Sequence, residues 1–204
     1  MSFRSCSIVF IMLLALASGC DRTASPSVSQ PGLTGPAPAT SAAAGSAGPA
    51  ILPQAALERL VTVFDACDPE TFNAQLGAGT CVRSGGVRFE DFIEQLRRHA
   101  SIGAWRFAPP NMTLLEGQRF VAVNRGGEVH TFTEVDEFGG GIVPILNQLT
   151  GQTQVAPECG SLQPSDFIAP GTRFSEGQGE EAGTVKYQCC IHPWMRLEAK
   201  VLEK

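Results

Sequence analysis

The pattern of apolar and polar positions changes near residue 103. Before that point, apolar residues recur at intervals of three and four, which is the spacing of an amphipathic helix. One run follows Pro53 and contains Leu57, Leu60, Val61 and Phe64. A second run contains Phe89, Phe92, Ile93 and Leu96. We therefore predict a helical extension over residues 51–102, with a helix in each run.

From Gly103 onward the pattern predicts strands. Short runs of β-branched and aromatic residues alternate with turns at 116–118 and 125–127, which favours antiparallel hairpins. Helical spacing returns briefly in a third run, which contains Ile142, Ile145, Leu146 and Leu149. A loop-like stretch leads to Gly183, and two further strands, TVKYQCC and MRLEAKVLEK, end the chain. The predicted fold class is all-β, a sandwich with a helical amino-terminal extension and a helix-containing insertion over residues 136–183.

Residues 1–19 have the layout of a secretory signal peptide, with Arg4, an apolar run from Ile8 to Leu16 and then small residues. The ending L-A-S-G-C resembles a bacterial lipobox, which implies that Cys20 becomes a lipid anchor after cleavage; ordinary cleavage with Cys20 unmodified is the alternative. Residues 20–50 are rich in Ala, Pro, Ser and Gly and predict a flexible linker. We predict a lipoprotein that is secreted across the cytoplasmic membrane and held in the periplasm or at the cell surface.

Charge and cysteine content narrow the class of protein. The formal net charge is −5 and no basic patch appears, so nucleic-acid binding is not predicted. Of the seven cysteines, Cys6 lies in the signal peptide and Cys20 is the predicted anchor, which leaves five. In an oxidising compartment, five cysteines make two disulfides and one free thiol. The turn-rich stretch between Cys67 and Cys81 predicts one of these bridges.

The most informative segment is Y-Q-C-C-I-H-P-W-M-R, residues 187–196. Strand alternation places Cys189 on the inward face of the strand that enters this loop, and Met195 on the inward face of the strand that leaves it. His192 lies between them, and His130 in G-G-E-V-H-T-F is the candidate for a second imidazole. Two imidazoles, one thiolate and a weak thioether form the ligand set of blue-copper electron-transfer sites. Zinc also binds Cys and His, but it does not seek a thioether.

The motifs N-R-G-G-E-V-H-T-F and Y-Q-C-C-I-H-P-W-M-R together resemble the cupredoxin (plastocyanin-like) family. The C-x2-H-x2-M spacing is similar to the ligand loop of amicyanin. The resemblance implies a cupredoxin-like Greek-key β-sandwich over residues 103–204. It also implies one type 1 copper ion, whose ligands would be His130, Cys189, His192 and Met195.

Further roles follow from the same resemblance. Asn124 is expected to steady the site through hydrogen bonds to the backbone. Pro193 and Trp194 are expected to flank a solvent-facing edge of His192 and form a docking surface for a partner. If Cys189 binds the metal, then Cys190 faces away and pairs with the remaining Cys159. The alternative is that Cys190 binds the metal and Cys189 forms the bridge.

The predicted function is extracytoplasmic electron transfer through a mononuclear type 1 copper site. The expected partner is a redox protein such as a c-type cytochrome or a periplasmic oxidoreductase, and the lipid anchor would hold the protein at the membrane. Acidic residues near the site could steer a basic partner, and a solvated acidic face without such a role is the alternative: Glu128, Glu134, Asp136 and Glu137. An enzyme is not expected, because copper enzymes of this kind need further His-rich centres and the chain has three histidines, two already assigned. The alternative function is a copper-handling or assembly module for storage or delivery.

Overall fold

The computed structural model describes residues 57–177 and 179–204 of the chain. The predicted signal peptide, the linker and the Cys20 anchor lie outside these residues. Two four-stranded sheets form the framework. The first contains β1 (Glu58–Phe64), β2 (Arg106–Ala108), β4 (Arg119–Asn124) and β8 (Arg173–Ser175), in the order β2-β1-β4-β8. The second contains β3 (Asn111–Leu115), β6 (Thr133–Glu134), β9 (Gly183–Gln188) and β10 (Arg196–Leu202), in the order β3-β10-β9-β6.

Strand β1 replaces the first predicted helix, so that prediction is wrong. The strand pairs antiparallel with β2 and parallel with β4, and it is therefore an internal strand of the first sheet. Its burial alternates, because Val61 and Val63 are fully buried while Leu60 is 60% exposed. The segment 51–102 thus supplies a strand of the sandwich and is not only a helical extension.

Two helices follow β1. Helix α1 (Pro69–Leu76) begins where the Asp68 carboxylate accepts a hydrogen bond from the backbone N–H of Thr71, and Pro69 fits the first helical turn. This helix lies inside the stretch that the sequence presented as turns. Helix α2 (Phe89–His99) confirms the second predicted helix and ends in three basic residues, which suits the helix dipole. Among the described residues, no helix combines the length and the apolar character needed to cross a bilayer.

The consecutive strands from β2 to β6 do not form the predicted hairpins. The neighbours β2 and β3 lie in different sheets, as do β3 and β4, and β3 pairs in parallel with the last strand, β10. The insertion contains the third predicted helix, α3 (Pro144–Leu149), and two short strands. One of these, β7 (Phe167–Ile168), pairs with β5 (His130–Thr131), and the other, β8, pairs with β4. The predicted all-β sandwich with helical additions is confirmed, but its insertion contributes strands to the sheets.

An aromatic core joins the sheets beneath the predicted metal ligands. Phe132 stacks on Tyr187 with ring centroids 4.3 Å apart, and the ring of Phe120 meets both edge-on. Such offset and edge-to-face contacts add to the hydrophobic contribution of burying large rings. A second aromatic group, in which α1 and α2 pack over one end of the sandwich, contains Phe72, Phe89, Phe92 and Trp105. We call α1 and α2 together the helical cap.

Candidate metal centre

The loop between β9 and β10 is closed by its own backbone. The N–H of Cys189 donates to the carbonyl of Met195 over 3.0 Å, and the N–H of Met195 donates to the carbonyl of His192 over 2.9 Å. The residues that were predicted to face inward, Tyr187, Cys189, Met195 and Leu197, are all buried, and the predicted alternation is confirmed along β10. The backbone hydrogen bonds therefore fix the loop in a conformation that points Cys189, His192 and Met195 toward the core.

Strand β5 brings the fourth predicted residue, His130, to this loop. The N–H of Thr131 donates to the sulfur of Cys189 over 3.4 Å, and the Thr131 hydroxyl accepts from the N–H of Cys190 over 2.8 Å. These two bonds align the end of β9 beside β5. The Nδ1 atoms of His130 and His192 each lie 3.8 Å from Cys189 Sγ, and the two rings are 5.0 Å apart.

These donor atoms fit a single ion. Metal bonds of about 2.3 Å from a thiolate and about 2.0 Å from an imidazole can both be made when sulfur and nitrogen are 3.8 Å apart. All three side chains are buried, which would exclude competing water. Met195 is also fully buried in the same loop. A soft thiolate with two imidazoles suits copper in both of its common oxidation states.

The electrostatics of the cluster favour a thiolate at Cys189. Burial raises the pKa of this thiol, but hydrogen bonds and positive charge from His130 and His192 outweigh burial and hold the pKa well below its ordinary value. Burial likewise lowers the pKa of His130, but the hydrogen bond to Asp65 and the contact with Cys189 raise it to about 9. The sulfur is therefore prepared to act as a metal ligand.

Asn124 bonds to the backbone as expected. Its amide nitrogen donates to the carbonyls of Glu128 and Ile168 over 2.7 and 2.8 Å, and its amide oxygen accepts from the N–H of Gly126 over 2.9 Å. The side chain is fully buried. It therefore ties the β4–β5 loop to β7 on either side of His130.

Two buried carboxylates lie near the site, one of them not predicted from the sequence and the other predicted on the surface. Asp65, at the end of β1, lies 2.8 Å from His130 Nε2, and the two side chains are 1% and 0% exposed. Glu128 was expected on a solvated acidic face, yet it is buried, accepts a 2.6 Å hydrogen bond from Trp105 Nε1 and lies 3.7 Å from His192 Nε2. The available signal for Asp65 was its register, because residues 61, 63 and 65 share one face of a strand.

The two carboxylates have opposite pKa shifts. Burial raises the pKa of Asp65, but hydrogen bonds from His130 and from the N–H groups of Glu128 and Gly127 outweigh burial and lower it to about 2. Burial raises the pKa of Glu128, and the charge of His192 with the Trp105 hydrogen bond offsets this only in part. Asp65 is therefore the more firmly ionised of the two.

The expected solvent-facing edge of His192 is covered. The His192 side chain is only 4% exposed, Pro193 is buried and Trp194 is half-buried. The Trp194 ring lies 5.4 Å from His192 and 6.0 Å from Phe92 of the helical cap, so the cap closes the end of the sandwich where an open edge was expected. Pro193 cannot form an exposed docking surface, and a docking role for Trp194 stays a prediction.

Both predicted disulfides are present, Cys67–Cys81 and Cys159–Cys190. Among the described cysteines, Cys189 is the one without a disulfide, so the alternative pairing through Cys189 is wrong. The second bridge fixes the insertion beside the loop between β9 and β10, residues 189–195, which we call the ligand loop. Gly141 shows how close this approach is, because a Cβ there would lie 1.9 Å from the carbonyl oxygen of Cys190.

No protein-family model and no curated protein matches the chain. The search of solved structures finds a purple cupredoxin from Nitrosopumilus maritimus, with 17% identity, a TM-score of 0.37 and coverage of 70% of this chain and 98% of that one. Amicyanin from Paracoccus versutus matches with 20% identity, a TM-score of 0.32 and coverage of 50% and 77%. Plastocyanin from Dryopteris crassirhizoma matches with 17% identity, a TM-score of 0.32 and coverage of 48% and 89%. All three are similarities to solved structures at less than 25% identity.

Proposed function

We propose that this protein binds one copper ion in a type 1 site and transfers single electrons. The observation that carries the proposal is the convergence of Cys189 Sγ with the Nδ1 atoms of His130 and His192, each 3.8 Å from the sulfur, in a buried site. Met195 is the proposed axial ligand. Bound copper would supply a centre that accepts and releases one electron.

The residues of the chain would keep this site unchanged during electron transfer. The backbone bonds between Cys189, His192 and Met195 hold the loop, and Thr131 holds the sulfur through its N–H. A site that is held in one geometry and is closed to water needs little rearrangement when its charge changes. These features favour an electron carrier over an enzyme. An electron carrier does not need an open coordination position on the metal for a substrate, whereas an enzyme of this kind does.

Copper loading of the full-length chain tests the proposal. We expect an intense visible thiolate-to-copper absorption that ascorbate bleaches and an oxidant restores. Cys189→Ser and His130→Gln should abolish this absorption. His99→Gln is the matched control, because His99 is the remaining histidine and lies exposed at the end of α2. A colourless wild-type protein, or an unchanged spectrum in Cys189→Ser, would exclude the site.

The enclosed His192 supports a second candidate, a copper-handling module that stores or delivers the ion. An electron carrier benefits from a ligand edge near the surface, whereas this side chain is 4% exposed. The two functions differ in their exchange partners. Rapid electron exchange with a c-type cytochrome would support the carrier, and transfer of copper to a metal-free acceptor without such exchange would support handling.

We also propose an extracytoplasmic location with a lipid anchor at Cys20 and a redox protein as the partner. The two disulfides support an oxidising compartment. The signal-like residues 1–19 and the lipobox-like ending support export and lipidation. Cys20→Ser should move the protein from the membrane fraction to the soluble fraction of the cell, and continued membrane association would argue against the anchor.

A further inference from the structure

A buried carboxylate stands directly behind one proposed copper ligand. Asp65 Oδ2 lies 2.8 Å from His130 Nε2, on the side of the ring away from Cys189. The carboxylate also accepts hydrogen bonds from the N–H groups of Gly127 and Glu128 over 2.9 and 3.0 Å. Asp65 therefore has a complete set of partners that includes the imidazole.

The backbone of the β4–β5 loop packs closely against this carboxylate. A Cβ on Gly126 would lie 1.8 Å from Asp65 Oδ2, and a Cβ on Gly127 would lie 2.7 Å from the sulfur of Cys67. Only glycine at these two positions lets the β4–β5 loop close over Asp65. The Cys67–Cys81 disulfide anchors the chain two residues further on. The loop and the disulfide thus both restrict the space around Asp65.

We propose that Asp65 is a positioning residue that orients His130 and lowers the reduction potential of the copper site. The inference rests on the proposed copper function. By accepting the Nε2 hydrogen, Asp65 leaves Nδ1 free to face Cys189, which is the role of a carboxylate partner behind a metal-binding imidazole. A fixed negative charge in a buried, poorly screened site stabilises the more positive oxidation state, Cu(II).

Glu128 provides an internal comparison. It faces the Nε2 atom of His192, but at 3.7 Å it is beyond hydrogen-bonding distance. Its carboxylate is instead hydrogen-bonded to Trp105 over 2.6 Å. Both carboxylates lie next to the Nε2 atom of an imidazole, but we expect Asp65 to have the larger effect on the reduction potential.

The midpoint potential of the copper-loaded full-length chain tests this assignment. Asp65→Asn keeps the side-chain shape and removes the charge, and it should raise the potential. Each tenfold loss of preference for Cu(II) over Cu(I) corresponds to about 59 mV for a one-electron couple. Glu128→Gln should produce a smaller rise, and Glu181→Gln, an exposed change of equal charge, should produce none. The proposal would be overturned if the midpoint potential of the Asp65→Asn protein equalled that of the wild type, or if Glu128→Gln shifted the potential more than Asp65→Asn.

A second measurement covers the case in which Asp65→Asn fails to fold. In the ¹⁵N-labelled wild-type Cu(I) protein, long-range correlations should show His130 with its hydrogen on Nε2 and protected from exchange with solvent. A hydrogen on Nδ1, or a rapidly exchanging Nε2 hydrogen, would refute the positioning role. The proposed function fails separately, because a wild-type chain without the visible thiolate-to-copper absorption has no site to tune.

Discussion

Met195 offers the weakest donor of the proposed centre, and leucine can replace it with little change in side-chain volume. Leu has nearly the volume of Met, so Met195→Leu should cost less than about 1.5 kcal/mol of stability. The visible absorption should persist, because Cys189, His130 and His192 remain. The midpoint potential should rise, since an apolar side chain stabilises Cu(II) less than an electron-rich sulfur does.

The control for this prediction is Met112→Leu, which makes the same substitution in β3 at a partly buried position. It should leave both the spectrum and the potential unchanged. If Met195→Leu also left both unchanged, Met195 would be a core residue only. Visible spectroscopy and a potentiometric titration measure the two quantities on the same samples.

Tyr187 connects the core to a pair of carboxylates at the far end of β9. Its hydroxyl lies 2.5 Å from Glu176 Oε1 and 2.7 Å from Glu180 Oε1. A phenol has one hydrogen and can donate to only one of them, so the second contact requires a protonated carboxyl group. Burial and the hydrogen bond to Glu180 raise the pKa of Glu176 to about 8.

This shift predicts a pH-dependent stability. The folded-state pKa of Glu176 exceeds its ordinary value of 4.5, so the stabilisation is complete below about pH 4.5 and is lost as the pH rises through 8. Glu176→Gln imitates the protonated acid and should be more stable than the wild type by about 1–2 kcal/mol at pH 8, after allowance for its partial exposure. Thermal unfolding at pH 5 and pH 8, in one metal state, measures this difference.

Glu181→Gln serves as the control, because it removes one negative charge from an exposed neighbouring position. It should keep the pH dependence of the wild type. A Glu176→Gln protein with that same dependence would show that the Tyr187 cluster does not titrate in this range.

Among the elements, β9 and β10 were the most predictable from sequence and β1 the least. Strand β10 alternates between buried and exposed residues over most of its length, whereas β9 passes from exposed residues at its start to buried residues at its end, and the loop between the two strands carries the proposed ligands. In β1 the helical spacing included Leu60, which is 60% exposed, whereas the true inward positions are Val61, Val63 and Asp65. A stretch this short satisfies both periods, and its parallel pairing with β4 decides between them. Asp65 was missed for the same reason.

Within the insertion, only the segment whose apolar residues recur at helical spacing could be predicted from the sequence. Helix α3 was found from its spacing, but β7 and β8 are two and three residues long and are defined by backbone pairing with β5 and β4. The insertion also buries Gln188, whose amide oxygen accepts from the N–H of Gly139 over 2.9 Å. Strand alternation puts Gln188 on the face of β9 opposite Cys189, and the insertion covers that face.

The Cys159–Cys190 bridge joins this insertion to the ligand loop across 31 residues. In the chain-entropy account, a loop of that length contributes about 3–4 kcal/mol. The double variant Cys159→Ala, Cys190→Ala should lose stability of that order in denaturant titrations and yet keep its visible copper absorption, because Cys189 supplies the sulfur.

The companion double variant Cys67→Ala, Cys81→Ala removes a bridge of 14 residues and should lose about 3 kcal/mol by the same account. If the first double variant lost its absorption while the second retained it, the insertion bridge would be required to form the site. That result would contradict the view that backbone hydrogen bonds and β5 suffice to place Cys189.

At the scale of the whole molecule, the helical cap and the loop between β9 and β10 would together limit how electrons reach the proposed copper site. The ring of Trp194 contacts both His192 and Phe92, and it is half-buried. It therefore lies between the His192 imidazole and solvent. Trp194→Ala should expose the edge of the His192 imidazole and let a small reductant come closer to it. We expect faster reduction of the copper-loaded protein by a hexaammineruthenium(II) complex, measured by stopped-flow loss of the visible absorption. Leu76→Ala, on an exposed part of the same cap, should keep the wild-type rate. Equal rates in the wild type and Trp194→Ala would mean that electrons enter elsewhere and that the enclosure of His192 does not limit exchange.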